Sequence, residues 1–215
     1  MYKFNSQVHM GDYLPTFTDN EVKNEPMLFS CDRDASIALG GPITKAFLDS
    51  LYPEFLNHPD FILDTRVHML MPGWFPCIPG YHHDDVPRNN TNGQPNYDNP
   101  EYRSLHAMAL INGDVCPTEF ALGQCDMAKV PDDGIIYKEW HKDVEKLLED
   151  NLLEKWYAPT NQVVYFDCET FHQGTRARKN GWRWFGRASI QTNRRPVNEI
   201  RRQVQVYLEN PMEGW

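Results

Sequence analysis

Two histidine-containing stretches of this chain have the residue types and spacing of a metal-binding site. The sequence YHHDD at 81–85 contains two overlapping His-x-Asp pairs, and a single histidine, His172, follows some 90 residues later. Two neutral imidazoles and one carboxylate hold a mononuclear Fe(II) on one face and leave its other coordination positions open. The alternatives without a metal are structural: His82 could be a loop histidine hydrogen-bonded to the backbone, and His172 could cap the end of a strand. The pattern favours oxidation chemistry at an iron centre.

A basic strand follows His172 and brings two cationic groups to the same region. In the run WRWFGRAS at 182–189, strand alternation places four side chains on one face: Arg183, Phe185, Arg187 and Ser189. An inward guanidinium group needs an anionic partner, because an unpaired buried charge costs free energy. For Arg187 that partner is either a bound ligand or a core-facing acid such as Asp167 or Glu119.

Charge is unevenly distributed along the chain. The net charge is -9, but residues 176–202 contain nine basic residues and one acid, a segment charge of +8 that leaves -17 for the remainder. The negative net charge argues against a protein whose whole surface binds nucleic acid, since such a surface is normally basic. The basic segment is either a solvated face or a field that draws an anionic ligand to one end of the fold.

Length and composition indicate a single soluble domain. A chain of 215 residues with 40% hydrophobic residues can bury one sizeable core and is short for two domains. No stretch approaches the roughly 20 apolar residues of a membrane span. The five cysteines are odd in number and irregularly spaced, which favours reduced thiols over a disulfide framework or a zinc ribbon. We therefore expect one cytoplasmic domain over residues 1–215, with no membrane partner.

The hydrophobic pattern predicts a mainly β protein with flanking helices. Helices are predicted over 37–56 and 137–156, and strands over 61–71, 104–112, 118–125, 162–167, 182–192 and 204–208, with one or two short strands before residue 30. The segment 72–100 is rich in proline and glycine and is predicted to be a long, functional loop that carries the His-x-Asp pairs. Short connections in the second half favour an antiparallel sandwich or jelly roll with helices on one side.

Residues 61–195 resemble the 2-oxoglutarate/Fe(II)-dependent oxygenases, whose fold is a double-stranded β-helix. The similar segments are PGYHHD at 79–84, CPTEFALG at 116–123, NQVVYFD at 161–167 and HQG at 172–174. The first resembles the family's aromatic-His-x-Asp motif, and the second resembles a strand that often follows it. The last two together resemble the strand that delivers the distal histidine. Arg183 stands eleven residues beyond His172, a spacing similar to that at the end of taurine dioxygenase.

The resemblance implies which residues bind the metal. The family's ligand histidine commonly follows an aromatic residue directly, and Tyr81 fills that place before His82. The implied ligands are therefore His82, Asp84 and His172. The alternative pair, His83 with Asp85, has the same spacing; otherwise one of these two residues orients a ligand, as metal-bound histidines usually require.

The resemblance also implies a cosubstrate site and a pocket. Arg183 would pair with the distal carboxylate of 2-oxoglutarate, because a guanidinium fork fits a carboxylate better than an ammonium does. Arg187 would hold an acidic group of the substrate or the other end of the cosubstrate, and Ser189 would add a hydrogen bond. Trp74 and Tyr81 are expected to line the substrate pocket.

The implied activity is hydroxylation of a C–H bond, coupled to decarboxylation of 2-oxoglutarate to succinate and carbon dioxide. The carboxylate of Asp84 fits hydroxylation, since halogenating relatives lack it. The substrate stays open between a small metabolite, a side chain on a protein and a nucleobase, and the basic segment favours an anionic one. Two other classes also fit the sequence: a cupin-like metalloenzyme without a cosubstrate, and a non-enzymatic jelly-roll protein.

Overall fold

The computed structural model describes residues 1–98, 103–131 and 134–208, and its main feature is a pair of antiparallel β-sheets. The strands are β1 (Tyr2–Ser6), β2 (His9–Tyr13), β3 (Leu28–Phe29), β4 (Ile62–Leu70), β5 (Leu105–Ile111), β6 (Thr118–Met127), β7 (Glu154–Tyr157), β8 (Gln162–Asp167), β9 (His172–Gly174), β10 (Gly181–Ile190) and β11 (Glu199–Ile200). The helices are α1 (Asp19–Asn24), α2 (Arg33–Leu39), α3 (Pro42–Asp49), α4 (Pro53–Leu56) and α5 (Ile136–Glu149). The prediction of a mainly β chain with flanking helices is confirmed.

The two large sheets have different sizes and a simple strand order. The five-stranded sheet has the order β2-β8-β5-β10-β4. In the four-stranded sheet, β6 is central and pairs with β1, β7 and β9. The short strands β3 and β11 pair separately and tie the C-terminal part of the chain to its N-terminal part. All of these pairings are antiparallel, which accords with the predicted antiparallel architecture.

Apolar side chains from both sheets meet in a shared core. Phe120 of the smaller sheet packs in one cluster with Met108, Val164 and Phe166 of the larger sheet. The opposite face of the larger sheet packs against α1 to α4, and the opposite face of the smaller sheet packs against α5. The helices therefore lie on both sides of the paired sheets, whereas the sequence favoured one side. The difference arises because each sheet has a second apolar face that needs cover.

Alternation along β10 is as expected from its sequence. Trp184, Ala188 and Ile190 are buried in the core between the larger sheet and the helices. Arg183 and Arg187 point the other way and line a cavity between the sheets. Because β10 is paired on both sides, by β4 and β5, its register and hence the direction of each arginine are fixed.

Glycine at position 186 is required by the neighbouring tryptophan ring. A Cβ added at Gly186 would lie 2.2 Å from Cη2 of Trp184, whose side chain is fully buried. We expect Gly186→Ala to lower the free energy of unfolding by about 1–3 kcal/mol, measured by urea denaturation, because the ring has no room to move. The same substitution made together with Trp184→Phe should cost less than it does alone; an equal cost in both backgrounds would show that the ring is not the cause.

One predicted helix, 37–56, is instead three short helices. Gly40 and Gly41 interrupt the pattern after α2, and Pro42 and Pro53 occupy the first turns of α3 and α4, where a missing N–H is tolerated. The buried carboxylate of Glu25 accepts the backbone N–H groups of Ile43 and Thr44 at 3.2 and 2.8 Å. The start of α3 is thus capped by a residue distant in sequence, which local periodicity does not reveal.

Two further boundaries differ from the sequence prediction. The helix predicted over 137–156 ends at Glu149, and residues 154–157 form β7, which pairs with β6. The predicted strand 204–208 forms only a single bridge, between Tyr207 and Phe75. In both places tertiary pairing decides the conformation, because local propensity is only a weak guide.

None of the helices in the described part of the chain has the length and apolar character needed to cross a bilayer.

Candidate metal centre and its cavity

The two candidate histidine ligands lie side by side because their backbones pair. The N–H of His82 donates to the carbonyl oxygen of His172 at 3.0 Å, and the N–H of His172 donates to that of His82 at 3.2 Å. This antiparallel bridge joins the long loop to β9 and places both imidazoles on the same face. Their ring centroids are 4.7 Å apart.

Asp84 completes a group of three donors. Its Oδ2 lies 3.0 Å from Nε2 of His172, and its Oδ1 lies 3.9 Å from Nε2 of His82. One donor atom from each of the three residues lies within 4.8 Å of the others, a spacing that could hold a metal ion. Because Asp84 is two residues after His82, extended backbone returns its side chain to the same face.

Backbone carbonyls fix the orientation of both imidazoles. Nδ1 of His82 lies 2.8 Å from the carbonyl oxygen of Gly80, and Nδ1 of His172 lies 2.9 Å from that of Thr170. A carbonyl oxygen only accepts hydrogen bonds, so each Nδ1 is the donor, and in the neutral ring Nε2 is the nitrogen left to bind a metal. With the rings held in this orientation, both Nε2 atoms face the carboxylate of Asp84, as a metal ligand set requires.

The charge states of His82 and Asp84 suit metal binding. Burial lowers the pKa of His82 to about 4, and the nearby His172 acts in the same direction, so His82 is neutral near pH 7. Burial by itself raises the pKa of the Asp84 carboxyl, but the charge of Arg187 and the contact with His172 outweigh it and hold that pKa well below its usual range. A neutral imidazole and an ionised carboxylate are the forms that bind metals.

His83 and Asp85, the alternative pair, are not part of this donor set. The ring of His83 packs 4.0 Å from the ring of Phe171, within the aromatic cluster between the smaller sheet and α5, and its Nδ1 lies 2.8 Å from the hydroxyl of Tyr97. Asp85 has a positive φ of 53° and lies 3.6 Å from guanidinium nitrogens of both Arg187 and Arg194. The structure therefore does not bring this pair together with His172.

The three donors lie at one side of a cavity of about 1350 Å³ between the sheets. Three cross-strand pairs of β4 and β10 form its floor: Asp64 with Arg187, Arg66 with Phe185, and His68 with Arg183. Residues 198–207 form much of another wall, and this C-terminal segment is tied down by β11 and by the Tyr207–Phe75 bridge. The cavity is thus built by parts of the chain that are distant in sequence.

Arg183 lies in this cavity as a buried cation. Its side chain is 2% exposed and its Nη2 donates to the hydroxyl of Thr118 at 3.2 Å. Its Nε is buried and has no hydrogen-bond partner in the part of the chain that the structure describes. Its guanidinium carbon lies 5.6 Å from the ring centroid of Phe185. No acidic side chain of the described chain pairs with it, and burial lowers its pKa. An uncompensated buried charge is costly, so this position favours an anionic ligand.

Arg187 already has its partners within the protein. It forms ion pairs with Asp84 and with Asp85, the latter at 3.6 Å, and these carboxylates raise its pKa in spite of burial. Its partners are neither Asp167 nor Glu119, the acids considered from sequence. Arg187 neutralises the carboxylate that would bind the metal.

Three other predicted site residues lie away from the cavity wall. Ser189 is fully buried, with its hydroxyl 2.8 Å from Nδ1 of His106. Tyr81 is buried beside α5, and its hydroxyl donates to Glu119. Trp74 packs in the small cluster that contains Leu70 and Val115. Residues adjacent to a ligand in sequence point to the opposite face of extended backbone, which explains the position of Tyr81.

Sequence reasoning missed Arg66 and His68. Both lie on β4 and face the cavity, on the same face of the strand as the polar side chain of Asp64. What the sequence lacked was the pairing of β4 with β10, which turns that polar face inward.

Buried His106 should make the stability of the protein pH-dependent. Burial lowers its pKa to about 4, and Arg187 acts in the same direction. The unfolded chain takes up a proton near pH 6.5 while the folded protein does not, so stability is present above that pH and falls by about 2 kcal/mol between pH 6.5 and 4.5. His106→Gln should remove this part of the slope in urea denaturation across that range. The same substitution at His106 in the presence of added salt, and the wild type measured in parallel, are the controls.

Comparisons with known proteins give only distant likenesses. No protein-family model matches the chain, and no curated protein matches it. The fold is similar to HygX from Streptomyces hygroscopicus with iron bound, at 11% identity and a TM-score of 0.41 over 86% of this chain and 82% of that one. It is similar to EvdO2 from Micromonospora carbonacea var. aurantiaca complexed with 2-oxoglutarate, at 10% identity and a TM-score of 0.39 over 83% of this chain and 71% of that one.

A third similar structure is an N-substituted L-amino acid dioxygenase from Burkholderia ambifaria AMMD, at 16% identity and a TM-score of 0.36. The match covers 58% of this chain and 47% of that one, so the chain spans about half the length of that protein. Scores of this size assign no family. The function is therefore inferred from the residues of the cavity.

Proposed function

We propose that this protein is a non-haem Fe(II)- and 2-oxoglutarate-dependent oxygenase with a double-stranded β-helix domain over residues 1–215, and that it hydroxylates a small-molecule or side-chain substrate. One observation carries the proposal. The buried guanidinium group of Arg183, which has no acidic partner among the described residues, lines the same cavity as a His-Asp-His donor set. The donor set suits the metal, and the cation suits a dicarboxylate.

His82, Asp84 and His172 are the proposed metal ligands. Two imidazole nitrogens and one carboxylate fit Fe(II) better than zinc in a structural site, which usually takes four protein ligands. When bound, iron supplies activation of dioxygen for oxidation of an unreactive C–H bond. The chain's part is to hold Nδ1 of each ring on the carbonyl oxygen of Gly80 or Thr170, which orients the ring and leaves Nε2 as the nitrogen that would bind the metal. Arg187 keeps Asp84 ionised.

Arg183 is the proposed partner of the distal carboxylate of 2-oxoglutarate. Thr118 holds one end of its guanidinium group, so the fork is oriented before a ligand arrives. Phe185, two residues further along β10, forms the floor between Arg183 and Arg187 at the metal end of the cavity. Ser189 acts through His106 in this proposal, since its hydroxyl contacts that ring. A cytoplasmic location, expected from the cysteines, stays a prediction.

Anaerobic titration tests the proposal directly. The full chain should bind Fe(II), and 2-oxoglutarate should then bind to the iron-loaded form with a stoichiometry of about one. Admission of oxygen with a metabolite panel should identify a compound that stimulates release of succinate. Binding of Fe(II) without 2-oxoglutarate would favour the cupin-like metalloenzyme, and binding of neither would favour the non-enzymatic protein.

A further inference from the structure

A second guanidinium group in the cavity has no assigned role. Arg66 is half-buried on β4 and lines the cavity floor. In the described chain it makes no hydrogen bond and no ion pair, whereas Arg187, Arg194 and Arg201 each pair with an aspartate. A half-buried cation that faces a cavity is most stable when an anion accompanies it.

The net charge of the cavity lining also favours an anionic ligand. Its lining contains six arginines, which are Arg66, Arg183, Arg187, Arg194, Arg201 and Arg202. Among the residues that the structure describes, the same lining contains four acids, so six positive charges face four negative ones and the excess is two. A divalent metal and a dicarboxylate cosubstrate carry opposite charges of equal size and leave this excess unchanged. A cavity whose lining has a net positive charge attracts anionic ligands.

Arg66 and the cosubstrate cation occupy different, neighbouring cross-strand pairs of the floor. On the floor, Arg66 lies opposite Phe185, while Arg183 lies opposite His68, two residues further along β4. Burial lowers the pKa of His68 to about 3, so this neighbour is neutral and adds no cation. The proposed cosubstrate has two carboxylates, of which Arg183 takes one and the metal end of the cavity the other. Arg66 is left for a different anion.

We propose that the substrate of this protein is an organic anion, a carboxylate or a phosphate ester, whose charged group pairs with Arg66. This proposal rests on the proposed oxygenase function and names the substrate class of that site. The apolar side chains of Phe29, Ile78 and Ile200 also line the cavity and would contact the uncharged part of such a molecule. Arg66 would hold the substrate so that its carbon skeleton reaches the metal end.

Binding of matched small probes to the full chain tests this. The chain is loaded with Zn(II), which supports no turnover, and saturated with 2-oxoglutarate before calorimetric titration. Benzoate and phenyl phosphate share an aromatic ring with benzamide, which is neutral, and with benzylammonium, which is cationic. We expect the two anions to bind at least about tenfold more tightly than the other two, as a charge-assisted hydrogen bond provides.

Three variants locate the effect. Arg66→Gln should weaken benzoate binding at least about tenfold and change the affinity for 2-oxoglutarate less than about twofold. Arg66→Lys keeps the charge and should restore part of the benzoate affinity. The exposed Arg202→Gln removes another cavity cation and should change benzoate affinity less than about twofold. Thermal unfolding of each variant shows that it is folded.

Several outcomes would overturn the inference. They are equal binding of all four probes, equal losses in the Arg66→Gln and Arg202→Gln variants, and a loss of 2-oxoglutarate affinity in Arg66→Gln as large as that in Arg183→Gln. The titrations are repeated without 2-oxoglutarate. A wild-type chain that never binds 2-oxoglutarate but binds benzoate through Arg66 would remove the proposed function and keep the anion site.

Discussion

Replacing His82 with Gln should abolish Fe(II) binding, whereas replacing His83 with Gln should leave it intact. His82 directs Nε2 to Asp84 and His172, so its loss removes one of three proposed ligands. We expect a loss of metal affinity of at least about a hundredfold, because removal of groups that merely orient ligands already costs about 10–100-fold. Anaerobic titration with Fe(II), followed by metal analysis after gel filtration, measures it.

The two variants should also differ in stability. The His83 variant, which keeps metal binding, should be the one whose fold is destabilised. His83 is 3% exposed and packs against the rings of Phe4 and Phe171. His83→Gln should therefore lower the free energy of unfolding of the metal-free protein by about 2 kcal/mol, as measured in urea. Metal binding lost in the His83 variant and kept in the His82 variant would show that the alternative His-x-Asp register is the functional one.

Replacing Arg183 with Gln should remove 2-oxoglutarate binding and leave metal binding unchanged. Loss of a forked, charge-assisted pair in a buried site costs about 3 kcal/mol, which corresponds to roughly a hundredfold in affinity. Without ligand, the variant should be as stable as the wild type or more stable, because the substitution removes a buried charge that has no acidic partner in the described chain. Calorimetry with the Zn(II)-loaded chain and urea denaturation of the apoprotein measure the two effects.

Arg183→Lys is the matched control. It keeps the positive charge but loses the planar fork that Thr118 orients, so its affinity for 2-oxoglutarate should lie between those of the wild type and the Gln variant. Full binding of 2-oxoglutarate by Arg183→Gln would place the cosubstrate elsewhere or remove it from the proposal. A strong destabilisation of the Gln variant would instead indicate that Arg183 supports the fold.

Several features of the cavity could be predicted from the sequence. Strand alternation in 182–189 gave the common face of Arg183 and Arg187, and the structure shows that face lining the cavity. The proline-rich segment was expected to be a long loop that carries His82 and Asp84, and residues 71–98 contain no helix or strand. These features are local, because alternation and the effects of proline depend only on neighbouring residues.

Only the tertiary structure placed one of the two overlapping pairs, that of His82 and Asp84, beside His172. Both pairs in YHHDD have the same spacing, so local sequence cannot separate them. The backbone bridge between His82 and His172 turns His82 toward the cavity and therefore turns its neighbour His83 to the aromatic cluster on the other face. Such a one-residue choice depends on a pairing across 90 residues, which no local pattern contains.

The arginines show the same division. The sequence by itself determined that several cations lie near the end of the chain and that two of them point inward. The acidic residues nearby in the fold decide which arginine is paired. Asp84 and Asp85 form ion pairs with Arg187, whereas no acidic residue of the described chain pairs with Arg183 or Arg66. The inward turn of Arg66 arises from the pairing of β4 with β10. Charge compensation is a property of three-dimensional neighbours, so the unpaired cations became visible only in the folded chain.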